Sequence, residues 1–130
     1  MKQVQQDGLK YLINDKEERA EIVSFYGYIK RSFLIPRSIK CWSHEYIVRS
    51  ISKKSLKFSW NIKSIQFPTD SELQTIEEEA FSSSIESIFI PASMIDLIEG
   101  WCEYTNKLTT VKVDPKKSII FISWRQNDHL

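Results

Sequence analysis

The chain has 130 residues, of which 42% are hydrophobic and 12% aromatic, and its formal net charge is +1. This composition suits one packed domain and argues against global disorder. Because basic and acidic residues are interspersed along the chain, the charge gives no support for binding nucleic acid. No apolar run approaches the length of a transmembrane helix, so we expect no membrane insertion.

Residues 1–29 are predicted to form an N-terminal cap. The segments 9–13 and 20–25 are rich in aromatic and β-branched residues, and a polar turn from Asn14 to Arg19 separates them. We expect these two strands to pair as a β-hairpin that covers the open edge of the structure that follows. The first seven residues show no signal-peptide pattern.

Residues 30–61 are predicted to form a divergent structural unit. Residues 33–36 form an apolar run that ends in Pro36, and Val48, Ile51 and Leu56 follow at the spacing found in the next unit. Seven extra residues, around Cys41 to Ile47, separate the two halves. They are predicted to form a loop or a short strand on one face.

Two regular units follow, at residues 62–84 and 85–107. When they are aligned by Pro68 and Pro91, their apolar residues match at one constant offset. A period in the twenties with apolar residues at such spacing is typical of a leucine-rich repeat, in which each unit buries its apolar side against the next. The matched apolar residues are Ile62, Ile65 and Phe67 in the first unit and Ile85, Ile88 and Ile90 in the second.

The second halves of these units also repeat. Leu73, Ile76, Ala80 and Phe81 follow the first proline. We predict that Ile95, Ile98, Cys102 and Tyr104 take those places in the second unit, with a slip of one residue.

A third copy begins at Leu108, one further period along the chain, and is truncated within residues 108–130. The predicted fold class is therefore mainly β, a leucine-rich-repeat solenoid of short parallel strands with a β-hairpin N-terminal cap. Extended segments are expected at 63–67, 74–76, 86–90, 96–98, 109–113 and 119–123. The apolar run from Ser118 to Trp124 would be the exposed final edge, where the chain could associate with itself.

The motif formed by Leu73 to Phe81 and then Ile85 to Pro91 resembles the BspA-like leucine-rich repeat, and the likeness extends over residues 8–122. That family is known from surface antigens of mucosal bacteria and protists. The resemblance implies a protein that recognises other proteins, or adheres to them, at the cell surface or outside the cell. A cytoplasmic location is the alternative, since no signal peptide is seen.

The candidate binding site is a ladder of side chains on the concave strands. Because side chains alternate between the two faces of a strand, inward Ile65, Ile88 and Val111 leave their neighbours pointing outward. Solenoids usually bind partners on this face. Phe89 is either a binding centre or an apolar residue that the cap covers or that stands alone at the surface. The predicted partner-binding residues are Ser64, Gln66, Ser87, Phe89, Thr110 and Lys112.

No catalytic residue, metal site or cofactor is expected. His44-Glu45 begins like a metalloprotease motif, but Val48 stands where the second histidine is needed. Glu77 to Glu79 are expected to solvate a convex turn. The alternatives to a recognition module are a structural spacer that pairs through its edge and an intracellular scaffold.

The cysteines and tryptophans are expected to be structural. Cys102 is predicted to be a buried thiol, and a bridge to Cys41 is the less favoured alternative. Trp60 and Trp101 are predicted to pack in the core or at an edge.

Overall fold

The computed structural model describes residues 2–27 and 30–116. Its regular elements are short strands, as the alternating apolar and polar residues predict. The described part contains no helix long and apolar enough to cross a membrane. The strands are β1 (Lys2–Gln6), β2 (Leu9–Asn14), β3 (Arg19–Phe25), β4 (Ser32–Leu34), β5 (Ser38–Cys41), β6 (His44–Ile51), β7 (Ser64–Gln66), β8 (Thr75–Ile76), β9 (Ser87–Ile90), β10 (Asp96–Leu97) and β11 (Thr110–Val113).

A four-stranded parallel sheet, in the order β4-β7-β9-β11, forms one side of the solenoid. Ser64 pairs with Ser87 and Ser87 with Thr110, so the steps from β7 to β9 and from β9 to β11 both equal the predicted repeat period. The step from Ser32 on β4 to Ser64 on β7 is longer. Ile65 and Ile88 are neighbours in the same register and are buried. The leucine-rich-repeat solenoid and its short parallel strands are confirmed.

A seven-stranded sheet forms the other side, in the order β1-β2-β3-β6-β8-β10 with β5 beside β6. Strands β6, β8 and β10 run parallel to one another and come from successive units. Ile51 pairs with Ile76, and Leu56 bridges to Phe81, as the spacing of the divergent unit predicts. The core lies between the two sheets and consists mainly of buried isoleucine and leucine.

The N-terminal cap has three strands where two were predicted. The predicted hairpin is present as β2 and β3, but β1 pairs antiparallel with β2 as well. The sequence of β1 is polar apart from Val4, so it carries no apolar alternation that would mark it as a strand. Strand β3 then pairs parallel with β6, which places the cap on the edge of the seven-stranded sheet.

The extra residues of the divergent unit form a second hairpin, β5–β6, whose strands pair from Ser38 opposite Ile47 to Cys41 opposite His44. Its base is tied to the next unit by ion pairs. Arg37 and Arg49 both contact the Glu72 carboxylate, the latter at 2.8 Å. Since Glu72 lies in the first regular unit, these contacts fix the hairpin against the solenoid.

The second halves of the two regular units match differently from the prediction. Strand pairing sets Leu97 beside Ile76, where the constant period would set Glu99. Met94 therefore takes the buried place of Leu73, while Ile95 is 74% exposed. The step between equivalent residues of the two units is therefore two residues shorter here than the regular period, and a longer turn before Leu108 restores the period.

Because of the same shift, the residues at the end of the second unit also differ from the prediction. Trp101 is buried and packs edge-to-face on Phe81, with the ring centroids 6.4 Å apart. Tyr104, which was predicted to replace Phe81, is exposed. Gly100, with a φ of +85°, turns the chain just before Trp101.

Neither Cys41 nor Cys102 forms a disulfide, and Cys102 is buried as predicted. Trp60 is exposed and contacts Phe58 at the surface, so of its two predicted placements, core or edge, core packing is wrong. Glu77 to Glu79 were expected to be solvated, but two of their carboxylates form ion pairs. Glu78 pairs with Lys53 at 3.0 Å and Glu79 with Lys57 at 2.5 Å. The predicted edge from Ser118 to Trp124, with the segment 119–123, lies outside the described residues.

Buried hydroxyl groups line the turns that lead into the four-stranded sheet. Ser59, Ser82 and Thr105 occupy equivalent positions in successive units and are all buried. The Ser82 hydroxyl donates to the Ser59 carbonyl oxygen at 3.1 Å, and the Ser59 hydroxyl donates to the Leu56 carbonyl at 2.8 Å. Both carbonyl oxygens also accept from a backbone N–H group, that of Ile62 for the Ser59 carbonyl and that of Ser59 for the Leu56 carbonyl. The side-chain bonds therefore satisfy the buried hydroxyl groups themselves.

Candidate functional site

All six residues of the predicted ladder line one groove on the four-stranded sheet. The groove has a volume of about 590 Å³, and Thr69 joins the six at its border. The three hydroxyl groups come from one register position and the remaining three side chains from the position two residues later. The structure thus brings the candidate residues together, and their role in binding remains a prediction.

Strand alternation explains this arrangement. Ile65 and Ile88 point into the core, so Ser64 and Ser87 on their N-terminal side face the groove. Thr110 continues the hydroxyl row beside Ser87. The row repeats because parallel strands in register place equivalent residues side by side.

Strand β4 extends both rows, which the sequence analysis missed. Ser32 pairs with Ser64, and Leu34 pairs with Gln66. Leu34 is 56% exposed, a high value for a leucine in a strand. Aligning Pro36 with Pro68 would have predicted this pairing, since counting back two residues from each proline sets Leu34 beside Gln66.

Phe89 is half-buried, and its ring packs partly against the core. The groove lining contains none of the described cap residues, 2–27, since the cap strands join the opposite sheet. Phe89 pairs in register with Lys112, so an apolar ring and an ammonium lie on adjacent strands. Of the alternatives for Phe89, coverage by the cap is wrong.

The groove combines hydrogen-bonding groups with one aromatic ring and one charged side chain. Serine and threonine hydroxyls donate and accept hydrogen bonds, the Gln66 amide does both, and Phe89 offers apolar contact. Lys112 is the one charged side chain among the described residues that line it. Such a mixture of groups suits a polar ligand that carries an apolar side group.

The described side chains give no support for metal binding. Within residues 2–27 and 30–116, no group of three His, Cys, Asp or Glu side chains is arranged to hold a metal ion. His44 is exposed at the start of β6.

Comparison with solved structures places this architecture among known folds. A leucine-rich cell surface protein from Faecalibacterium prausnitzii A2-165 aligns with 87% of the chain at a TM-score of 0.68 and 16% identity. The pneumococcal vaccine antigen PcpA aligns with 88% of the chain at a TM-score of 0.56 and 18% identity. The alignments cover 32% and 38% of those longer chains, so this chain spans about a third of their length.

No protein-family model matches the sequence, and no curated protein matches it either. At 16% and 18% identity, the structural likeness shows the fold. The chain therefore has the fold of a leucine-rich-repeat solenoid.

Proposed function

We propose that the chain is a non-enzymatic recognition module that binds a protein partner in the groove of its four-stranded sheet. The observation that carries the proposal is the continuity of the groove: side chains from successive strands line one surface in two rows. Phe89 supplies half-buried apolar area within the groove, and Leu34 is exposed on the adjacent strand β4, in register with Gln66. Aromatic side chains set among polar neighbours are typical of binding centres.

The finer assignment is a BspA-like repeat that acts at the cell surface, in recognition or adhesion. Two observations support it: the repeat motif itself, and the likeness to solved proteins described as a cell surface protein and a vaccine antigen. Labelling intact cells of the source organism with an impermeant biotin reagent tests the location. Recovery of the protein only after lysis would contradict a surface role.

A peptide-display experiment tests the binding groove. A random peptide library is panned against the purified protein, and the selected peptides are measured by calorimetry against wild type and variants. Phe89→Ser is expected to weaken binding by about 30-fold, because a binding centre contributes about 2 kcal/mol. Gln66→Ala is expected to weaken it less, since its amide lies at the solvent side of the groove.

Ile95→Ser provides the matched control. It also removes an exposed apolar side chain, but Ile95 precedes β10 in the opposite sheet. Thermal unfolding of each variant shows that the fold is intact. If the selected peptides bind Phe89→Ser as tightly as wild type, the groove is not the binding surface.

A further inference from the structure

A second pocket lies far from the groove residues in the fold, where the start of β1 meets the tips of two hairpins. Its volume is about 330 Å³. Lys2 enters from the start of β1, Asp15 and Glu18 from the β2–β3 turn, and Trp42 from the tip of β5–β6. The remaining lining comes from β6, through His44 and Tyr46. None of these residues takes part in the proposed recognition groove.

Trp42 is placed where neither packing nor turn chemistry explains it. Its side chain is 70% exposed, so it contributes little to the core. It occupies the two-residue tip of the hairpin with Ser43, at φ values of 50° and 75°. Asparagine and glycine are preferred at such positions, and a bulky residue there is strained. A strained and exposed indole is a feature that binding can explain.

The pocket already holds a cation. The Lys2 ammonium lies 4.1 Å from the centroid of the Trp42 ring, within the range of a cation–π contact. Asp15 and Glu18 place two carboxylates in the same lining. An aromatic face beside carboxylates is favourable for an ammonium and unfavourable for an anion.

Tyr46 fixes one of these carboxylates. Its hydroxyl donates a hydrogen bond to Asp15 Oδ1 at 2.5 Å, and the Tyr46 side chain is buried in the sheet. This bond joins the β2–β3 turn to β6, so the position of Asp15 relative to Trp42 is set by two strands and not by a free side chain. The Asp15 carboxylate is therefore held in place before any ligand arrives.

We propose that this pocket is a second binding site, which takes the primary ammonium group of a lysine side chain on a partner protein. Lys2 lines the pocket in the free protein, with its ammonium over the Trp42 ring, and must move aside when the partner binds. This internal contact indicates the ligand class: an alkylammonium that stacks on Trp42, with the Asp15 and Glu18 carboxylates in the same lining. The site lies on the cap and hairpin and is independent of the groove.

The probe is Nα-acetyl-lysine methylamide, and its binding is followed by the indole ¹⁵N–¹H NMR signal of Trp42. Wild type is expected to bind it with a dissociation constant in the millimolar range. In Lys2→Ala the internal competitor is gone, so binding should tighten about five-fold, which corresponds to the ~1 kcal/mol of an exposed cation–π contact. In a Lys2→Ala protein that also carries Trp42→Leu, followed by signals of the His44 backbone, binding should fall by at least that factor.

The neutral analogue Nα-acetyl-norleucine methylamide is the matched probe, because it keeps the aliphatic chain and lacks the charge. Equal binding of the two probes to Lys2→Ala would overturn the proposal, since the pocket would then recognise apolar chain alone. A Lys2→Ala protein whose Trp42 signal does not shift with the lysine probe would overturn it as well. Asp15→Asn adds a test that leaves the hairpin tip intact: it should weaken the lysine probe and leave the norleucine probe unchanged.

Discussion

The isoleucine stack across the four-stranded sheet yields a quantitative prediction. Ile88 is 2% exposed and lies between Ile65 and Val111 in register. Ile88→Ala removes three side-chain carbons, which at about 0.8 kcal/mol per buried methylene amounts to about 2.4 kcal/mol. A residual cavity adds to this, because strands held on both sides cannot collapse into it. We expect a loss of about 3 kcal/mol in the free energy of unfolding.

Urea unfolding followed by circular dichroism measures this loss. With an m-value of about 1.5 kcal/mol per molar, the midpoint should fall by about 2 M. Ser87→Ala is the control, since Ser87 is the preceding residue and its side chain faces the groove. Its midpoint should stay within about 0.3 M of wild type, because surface substitutions cost little. Equal losses in the two variants would refute the register of the sheet.

Three further predictions concern polar groups. Ser82→Ala should lower the free energy of urea unfolding by about 1 kcal/mol, because the buried Ser82 hydroxyl donates to the Ser59 carbonyl. An unchanged urea midpoint would contradict a stabilising role for this hydrogen bond. Glu72→Gln should lower the unfolding free energy by about 0.5–1 kcal/mol at low salt, and by less in about 1 M salt, since it loosens ion pairs to Arg37 and Arg49. The hydrogen bond to Asp15 raises the pKa of Tyr46 to about 12, so the stabilisation of the fold by the protonated Tyr46 hydroxyl is complete below about pH 10 and is lost as pH rises toward 12. Tyr46→Phe should therefore reduce the loss of thermal stability at alkaline pH. A variant whose melting temperature has the same pH profile as wild type would contradict this prediction.

Strands β7, β9 and β11 of the four-stranded sheet were predictable because their spacing is constant. The step from Ser64 to Ser87 equals the step from Ser87 to Thr110, and a proline follows the strand in both regular units. Constant spacing and strict alternation together determine which side chains face outward. The ladder could therefore be named residue by residue from the sequence, including Phe89 and Lys112.

The opposite sheet was harder to predict because its spacing varies. Ser50 pairs with Thr75, and Thr75 pairs with Asp96, so the first step is longer than the regular period and the second is shorter. Apolar residues stand next to each other at Met94 and Ile95, and composition alone does not say which one is buried. Which of the two residues is buried depends on where the turn before β10 is shortened, and this is set by tertiary packing.

The cap and hairpin show a second limit of the sequence signal. Strand β1 is polar because none of its five residues is buried, so it shows no apolar alternation that would predict a strand. The tip of β5–β6 lacks the Asn-Gly signal of a two-residue turn and carries Trp42 and Ser43 instead. Such a departure from local preference marks a site where another demand outweighs folding.

The variation in the described part of this chain is therefore confined to the side of the solenoid that does not line the groove. The cap, the extra hairpin and the uneven steps between β6, β8 and β10 belong to the seven-stranded sheet, and the hairpin accounts for most of the longer step from β4 to β7. Its short strands β8 and β10 hold only two residues each, so a gain or loss of two residues is absorbed in the adjoining turns. In the four-stranded sheet the same change would move Phe89 out of line with Lys112 and break both rows. A surface that recognises a partner through equivalent positions on successive strands requires that constancy, and this is the physical reason to place recognition on the regular face.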